Sequence, residues 1–242
     1  MKIGILGYGE IGKSIHQLYS KSNLDSNIFI EDLNNGEKLP KVDVLNICIP
    51  YNDLFISSVT DAVNRSSPNL CIVHSTVKPG TTRAIESNIE SLIVHSPVRG
   101  VHPNLYEGLV TFVKFIGANN KESLKEAVDH FYDLKINFET CESSETTELG
   151  KLLSTSYYGL AIAWHGEMKN MCDYYNVSFD ESITKFNQTY NEGYSKLGMN
   201  HVVRPVLSPP KEKIGGHCVI PNAEILNNVF DNDALKLILK YK

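Results

Sequence analysis

The stretch KIGILGYGEIGKSI, residues 2–15, limits what this chain can become more than any other. A short apolar run ends in Gly7-x-Gly9-x-x-Gly12, and an amphipathic segment follows at once. Strand, glycine turn and helix in that order are the context a dinucleotide-binding turn requires. Gly7 would make the tight turn. Gly9 would let a pyrophosphate rest on the backbone at the helix N-terminus, where free N–H groups point outward. Gly12 would let helix and strand pack closely. The same glycines also suit the turn of a flavodoxin-like domain that binds another ligand.

The next apolar run, NIFIEDLNN, ends in Glu31-Asp32 at about the 20-residue spacing expected for a ribose-binding acid. A carboxylate there accepts hydrogen bonds from ribose hydroxyls and repels a 2′-phosphate. No lysine or arginine follows until Lys38, so NAD is expected rather than NADP. Asp32 is the expected ribose ligand. The expected cofactor-binding set is Gly7, Gly9, Glu10, Ile11, Gly12, Asp32, Pro50, Ser75 and Thr76.

Further strands are expected over 44–49, 70–75, 92–95, 112–116 and 136–139, besides 2–6 and 27–31. Helices are expected over 11–20, 53–64, 82–90 and 121–134. Most of the strand runs are continuously apolar, as in strands covered on both faces. The expected architecture is α/β: a Rossmann-type, doubly wound parallel sheet over residues 1–142. After residue 142 the pattern becomes helical. Leu149, Leu152, Leu153, Tyr157, Leu160, Ala161 and Trp164 recur at helical spacing within one long helix over 146–175. Residues 143–242 therefore read as a helical domain led by that helix, with a second helix over 180–197 and a last one from Asn222.

The formal charge of −5 argues against nucleic acid or a membrane surface as partner. No stretch approaches the roughly 18 apolar residues of a membrane span. The N-terminal apolar run is too short and glycine-rich for a signal peptide. Five cysteines without CxxC spacing suit reduced thiols and a cytoplasmic location. Cys48, Cys71 and Cys172 read as small core hydrophobes, and Cys141 has no assigned role. His95 and His102 have no partner at a ligand spacing, so no metal is expected.

Cys218 lies in IGGHCVIPN, residues 214–222. An inert core cysteine needs no glycine-rich approach, whereas a nucleophile does, because substrate must reach its sulfur. Gly215 and Gly216 would clear that space. His217 reads as structural.

IGGHCVIPN, IVHSTVKPGTT (72–82), SPVRG (96–100) and ELGKLLSTSYYGLAIAWHGE (148–167) resemble, with the glycine turn, motifs of the UDP-glucose/GDP-mannose dehydrogenase family. The resemblance covers about residues 1–230. It implies oxidation of a nucleotide-sugar primary alcohol to a carboxylate with two NAD, through a cysteine thiohemiacetal and thioester. It implies Cys218 as nucleophile, Lys151 as the partner of the developing oxyanion, and Thr76 beside the nicotinamide and the attacking water. It further implies a homodimer built on the long helix.

Three positions depart from the family pattern. Thr155 replaces an asparagine one turn after Lys151, Val98 replaces a glutamate, and Asn222 replaces an aspartate. In the family the three replaced groups assist water and proton transfer. Arg99, His102 or Glu167 are candidates to have taken over, with Arg99 and His102 also candidate substrate ligands. Asn222 and Thr155 remain in the expected catalytic set with Cys218, Lys151 and Thr76. The family's third, nucleotide-gripping domain is expected to be absent here, since DNDALKLILKYK reads as a finished helix. A smaller substrate or a separate partner chain would account for that. Two alternatives stay open: a single-step β-hydroxyacid-type NAD dehydrogenase, and a non-catalytic NAD-binding protein.

Overall fold

The computed structural model of the 242-residue chain describes every residue except Asn35, Val101 and His102. It divides into two compact units, Met1–Lys151 and Leu152–Lys242. In the first, strands β1 (Lys2–Leu6), β2 (Asn27–Glu31), β3 (Val44–Ile47), β4 (Leu70–Val73), β5 (Leu92–His95), β6 (Lys114–Gly117) and β7 (Phe138–Cys141) form one sheet. Their order is β2-β1-β3-β4-β5-β6-β7. The helices are α1 (Glu10–Lys21), α2 (Phe55–Ser66), α3 (Thr81–Glu86), α4 (Leu105–Thr111), α5 (Lys121–Asp133) and the start of α6 (Ser144–Tyr174).

VLNI of β3 and LCIV of β4 are buried at every residue, because helices cover both faces of the sheet. On one face Ile3, Ile5 and Ile72 pack with Ile15, Leu105 and Phe131 of α1, α4 and α5. On the other, Leu45, Ile47 and Val73 pack with Phe55, Val59 and Ile85 of α2 and α3. This is the doubly wound arrangement expected, with one difference. Strands β1 to β5 are parallel, but β6 meets β5 antiparallel through the pair His95↔Gly117, and β7 follows β6. Apolar runs report burial and carry no sign of strand direction. The strand expected over 112–116 also starts later. Phe112 is the C-cap of α4, and its ring lies 5.5 Å from the Arg99 guanidinium.

A polar layer runs through the face covered by α1 and α5. The Tyr19 hydroxyl lies 2.7 Å from His130 Nε2 and 3.3 Å from the Asn46 side-chain oxygen. The ring nitrogens of His74 lie 2.9 Å from that oxygen and 3.0 Å from the Ser96 carbonyl. Lys114 Nζ donates to the same carbonyl at 2.7 Å. Buried unpaired charge is costly. Accordingly burial holds His130 down at about 4 and pulls the Lys114 ammonium down to about 7.

The second unit holds the rest of α6, a π-helical stretch Asp180–Thr184, and helices α7 (Lys185–Lys196), α8 (Val219–Asn227) and α9 (Asp233–Leu239). The single helix expected over 180–197 thus opens with the π stretch. The last helix, expected from Asn222, starts at Val219, so Asn222 sits inside it. A separate α9 follows, capped by Asn232, whose side chain accepts from Ala234 N. Two glycines of α6 set this packing. A Cβ on Gly159 would stand 2.4 Å from Val219, and one on Gly166 would stand 2.5 Å from the Tyr241 ring. Among the described residues no helix is long and apolar enough to cross a membrane.

Lys114 makes stability depend on pH. As pH falls from about 10.4, the ordinary lysine value, the unfolded chain takes up this proton first, while the folded chain waits until about 7. Between those limits falling pH disfavours folding. Denaturant unfolding of the wild type and Lys114→Met at pH 7, 8 and 9 is expected to show the wild type gaining on the variant by up to about 1.4 kcal/mol per pH unit. A difference that stays flat with pH would show that Lys114 keeps an ordinary pKa.

Candidate functional site

The glycine turn joins β1 to α1. Gly7 has φ +92°, in the left-handed region open to glycine, and its N–H donates to the Glu31 carbonyl at 2.8 Å. A Cβ on Gly12 would stand 2.0 Å from the Gly7 oxygen, so α1 approaches the turn more closely than any side chain permits. At Gly9 a Cβ would meet nothing within 4 Å. Gly9 is also the N-cap of α1 and offers no side-chain cap. Open space therefore faces a helix N-terminus without a side-chain cap, a geometry that fits a pyrophosphate. Glu10 is exposed and Ile11 half-buried at the start of α1.

The two adjacent acids at the end of β2 differ in what they do. Glu31 is buried and accepts from Lys38 Nζ at 2.8 Å, Arg65 Nη2 at 2.9 Å and Leu39 N at 3.0 Å. Asp32 is half-buried and accepts from Tyr8 N, inside the glycine turn, at 2.7 Å, and from Asn34 N at 3.0 Å. These backbone donors hold its carboxyl below the usual carboxylate range. The acid beside the turn is thus ionised and oriented, with Glu31 engaged elsewhere.

Pro50, Ser75 and Thr76 lie past the carboxyl ends of β3 and β4, where ligands bind in open parallel sheets. Pro50 is exposed and Thr76 half-buried. Ser75 is buried, and its hydroxyl donates to the Ile49 carbonyl at 2.6 Å, linking the ends of the two strands. His95 Nδ1 lies 2.8 Å from the Thr147 hydroxyl, one of several ties between the sheet and the first turns of α6. Arg83 donates to Glu145 through Nε at 2.5 Å and Nη2 at 3.0 Å. Glu148, fully buried, accepts from Gly80 N, Thr82 N and Thr82 Oγ1. Lys151 follows three residues later, half-buried, and Thr155 one helical turn beyond it on the same side of α6. Glu148 was not singled out from the sequence. The available signal was a carboxylate inside the apolar stripe of ELGKLL.

Val98 is buried at 5% exposure. Arg99 packs its guanidinium 5.5 and 5.4 Å from the ring centres of Phe112 and Phe115, with Nη1 3.5 Å from the Val113 carbonyl. That packing gives Arg99 a structural role beside the substrate contact expected for it. His102 lies outside the described residues. Among the described residues no cluster of three or more histidine, cysteine or acidic side chains is placed to hold a metal.

In the second unit Cys218 is the N-cap of α8, half-buried, and its carbonyl accepts from Asn222 N at 3.1 Å. Gly216 has φ +86°, and a Cβ on Gly215 or Gly216 would meet nothing within 4 Å. Both glycines and His217 are exposed. The approach to the thiol is therefore open, and the left-handed bend is what requires glycine at 216. Asn222 is buried at 5% exposure. Glu167 accepts from Lys240 Nζ at 2.7 Å and the Tyr241 hydroxyl at 2.6 Å. These bonds tie Glu167 to the end of the chain. Cys48, Cys71 and Cys172 are buried and Cys141 is partly exposed. Burial pushes the Cys48 and Cys71 thiols well up.

No family model matches the chain. The chain is similar to the UDP-N-acetyl-D-mannosamine dehydrogenase of Methanococcus vannielii, 29% identical over 208 residues covering 78% of this chain and 45% of that protein. It thus spans about half the length of the curated relatives it matches. Its fold is that of the UDP-D-ManNAc dehydrogenase from Pyrococcus horikoshii, with a TM-score of 0.77 at 18% identity over 100% of this chain and 69% of that one. It is equally that of the Mycobacterium tuberculosis 3-hydroxyisobutyrate dehydrogenase solved with L-serine, with a TM-score of 0.71 at 14% identity over 99% and 93%. The fold alone does not separate these two groups, and the sequence likeness is to the first of them.

Proposed function

We propose that the chain is the catalytic part of an NAD-dependent dehydrogenase that oxidises the primary alcohol of a nucleotide sugar toward the carboxylate. The observation that carries this reading is the open, glycine-flanked Cys218 in a chain similar in sequence to a UDP-N-acetyl-D-mannosamine dehydrogenase. NAD, when bound, accepts the hydride of each oxidation. The N–H groups at the start of α1 would hold its pyrophosphate, Asp32 would accept from the ribose hydroxyls, and Ser75 and Thr76 would border the nicotinamide.

The Cys218 thiolate adds to the carbonyl carbon of the aldehyde formed first, giving a thiohemiacetal whose oxygen carries the negative charge. The Lys151 ammonium neutralises that oxygen. Hydride loss from the same carbon leaves a thioester. Water attacks it, the carbon–sulfur bond breaks, and the carboxylate and the Cys218 thiolate are released while the two protons of the water pass to solvent. Thr76 and Thr155 orient this water. Asn222 can donate and accept hydrogen bonds but cannot take up the water proton as a carboxylate would. Hydrolysis of the thioester is therefore expected to be the slow step.

The long helix supports a homodimer. Tyr157, Trp164 and Met171 recur every seven residues on α6 and are 74%, 47% and 50% exposed. A stripe of that kind is what a second helix covers. A cytoplasmic location fits five cysteines of which none is in a disulfide. A separate partner chain that supplies a grip on the nucleotide, or a smaller substrate, is part of the same reading.

A second reading, a single-step β-hydroxyacid-type dehydrogenase, draws on the fold match covering 93% of the 3-hydroxyisobutyrate enzyme and on Val98 and Asn222. The two differ in stoichiometry. With UDP-N-acetyl-D-mannosamine and other UDP- and GDP-sugars, the wild type is expected to form two NADH per sugar consumed, and Cys218→Ser to lose the second. One NADH per substrate, unchanged in Cys218→Ser, would establish the single-step reading. Binding of NAD without turnover of any substrate would leave a non-catalytic NAD-binding protein.

Asp32→Ala is expected to weaken NAD binding about 10- to 100-fold, as loss of charged hydrogen bonds to the ribose should. Calorimetric titration checks this, and an unchanged affinity would remove Asp32 from the cofactor site. Trp164→Glu is expected to turn a dimer into a monomer in light scattering behind size-exclusion chromatography.

A further inference from the structure

We propose that Glu148 is a positioning residue that fixes the Thr76 loop against the turn of α6 that carries Lys151. The inference rests on the dehydrogenase reading above, because it gives these two residues their roles. Its structural basis lies wholly within the first unit.

Glu148 is 0% exposed. One carboxylate oxygen accepts from Gly80 N at 2.6 Å; the other accepts from Thr82 N at 2.8 Å and from the Thr82 hydroxyl at 2.6 Å. All three donors belong to the segment that leaves β4 through Thr76 and enters α3. Gly80 has φ +90°, so this segment turns sharply in order to present its N–H groups. All three donors are uncharged, and burial raises the Glu148 pKa against their pull. A buried carboxylate held only by neutral donors is an expensive way to fasten a helix to a loop.

The ordinary fastening is already present one turn earlier, where Arg83 grips Glu145 and Asn119 accepts from Ser144 N and Oγ. Glu148 adds a second tie at the turn directly before Lys151. With the helix fixed at 145 and 148, Lys151 has little freedom to shift along or around the helix axis relative to Thr76. Glutamine keeps the shape of glutamate but turns an N–H group toward at least one of the three donors. Loop and helix would then separate slightly. A displacement of about 1 Å at a catalytic centre can lower a rate about 100-fold.

The test compares wild type, Glu148→Gln and Thr82→Val, which removes only the hydroxyl donor. Steady-state kinetics with NAD and UDP-N-acetyl-D-mannosamine are read beside amide hydrogen exchange at Gly80 and Thr82. In Glu148→Gln, kcat is expected to fall about 10- to 100-fold with KM for NAD unchanged, and both amides to exchange faster. Thr82→Val should lie between the two. Should Glu148→Gln not fold, the graded loss of kcat in Thr82→Val carries the test. A kcat that stays at the wild-type value, or falls only in proportion to the folded fraction, overturns the proposal. A wild type that oxidises no sugar nucleotide overturns the dehydrogenase reading and the positioning role with it. Fast exchange at Gly80 and Thr82 in an active wild type overturns the clamp alone.

Discussion

Helix α1 meets the glycine turn with the Gly12 Cα against the Gly7 carbonyl, where a Cβ would stand 2.0 Å from the oxygen. Much else in the first unit follows from that contact. It brings the N-terminus of α1 to the end of β1, next to Asp32. It sets Ile15 and Leu18 on the sheet, and places Tyr19 within reach of Asn46 and His130. Interiors are packed too densely to take up an extra methyl group without local rearrangement. One glycine therefore governs both the seating of a helix and the shape of the ligand turn.

The start of α6 is the second fixed point. Glu145, Thr147 and Glu148 each bind a different part of the first unit, through Arg83, His95 and the Gly80–Thr82 segment. Beyond Lys151 the helix packs by other means. Gly159 admits Val219 and Gly166 admits the Tyr241 ring. The same 31-residue helix is thus polar where it is tied to the sheet and small-residued where other helices pass close to it.

How much of this is legible in the chain depends on range. β1, β2 and β5 keep the bounds that apolar runs imply, and the glycine spacing identifies the turn because both are local. Strand direction is not local, so the reversal of β6 leaves no mark in the run FVKFIG, residues 112–117. Nor is the distinction between Phe112 as a strand residue and Phe112 as a platform for Arg99. Arg99 and Glu167 look from the sequence like free groups near a site; each is held by partners far along the chain, the first by Phe112 and Phe115, the second by Lys240 and Tyr241. Glu148 is the converse case. Its identity is plain in the sequence, but its three donors are 66 or more residues away.

Neighbouring Glu31 and Asp32 also bear on protein engineering. Glu31 joins Lys38, Arg65 and the Leu39 amide around one buried carboxylate, so it serves the integrity of the sheet edge. Asp32, oriented by the glycine turn, makes no such demand on the core. A redesign aimed at accepting a 2′-phosphate can exchange the second acid while keeping the first. On the proposed reading of Asp32 as the ribose ligand, coenzyme selectivity and thermal robustness fall to separate residues and can be adjusted one at a time.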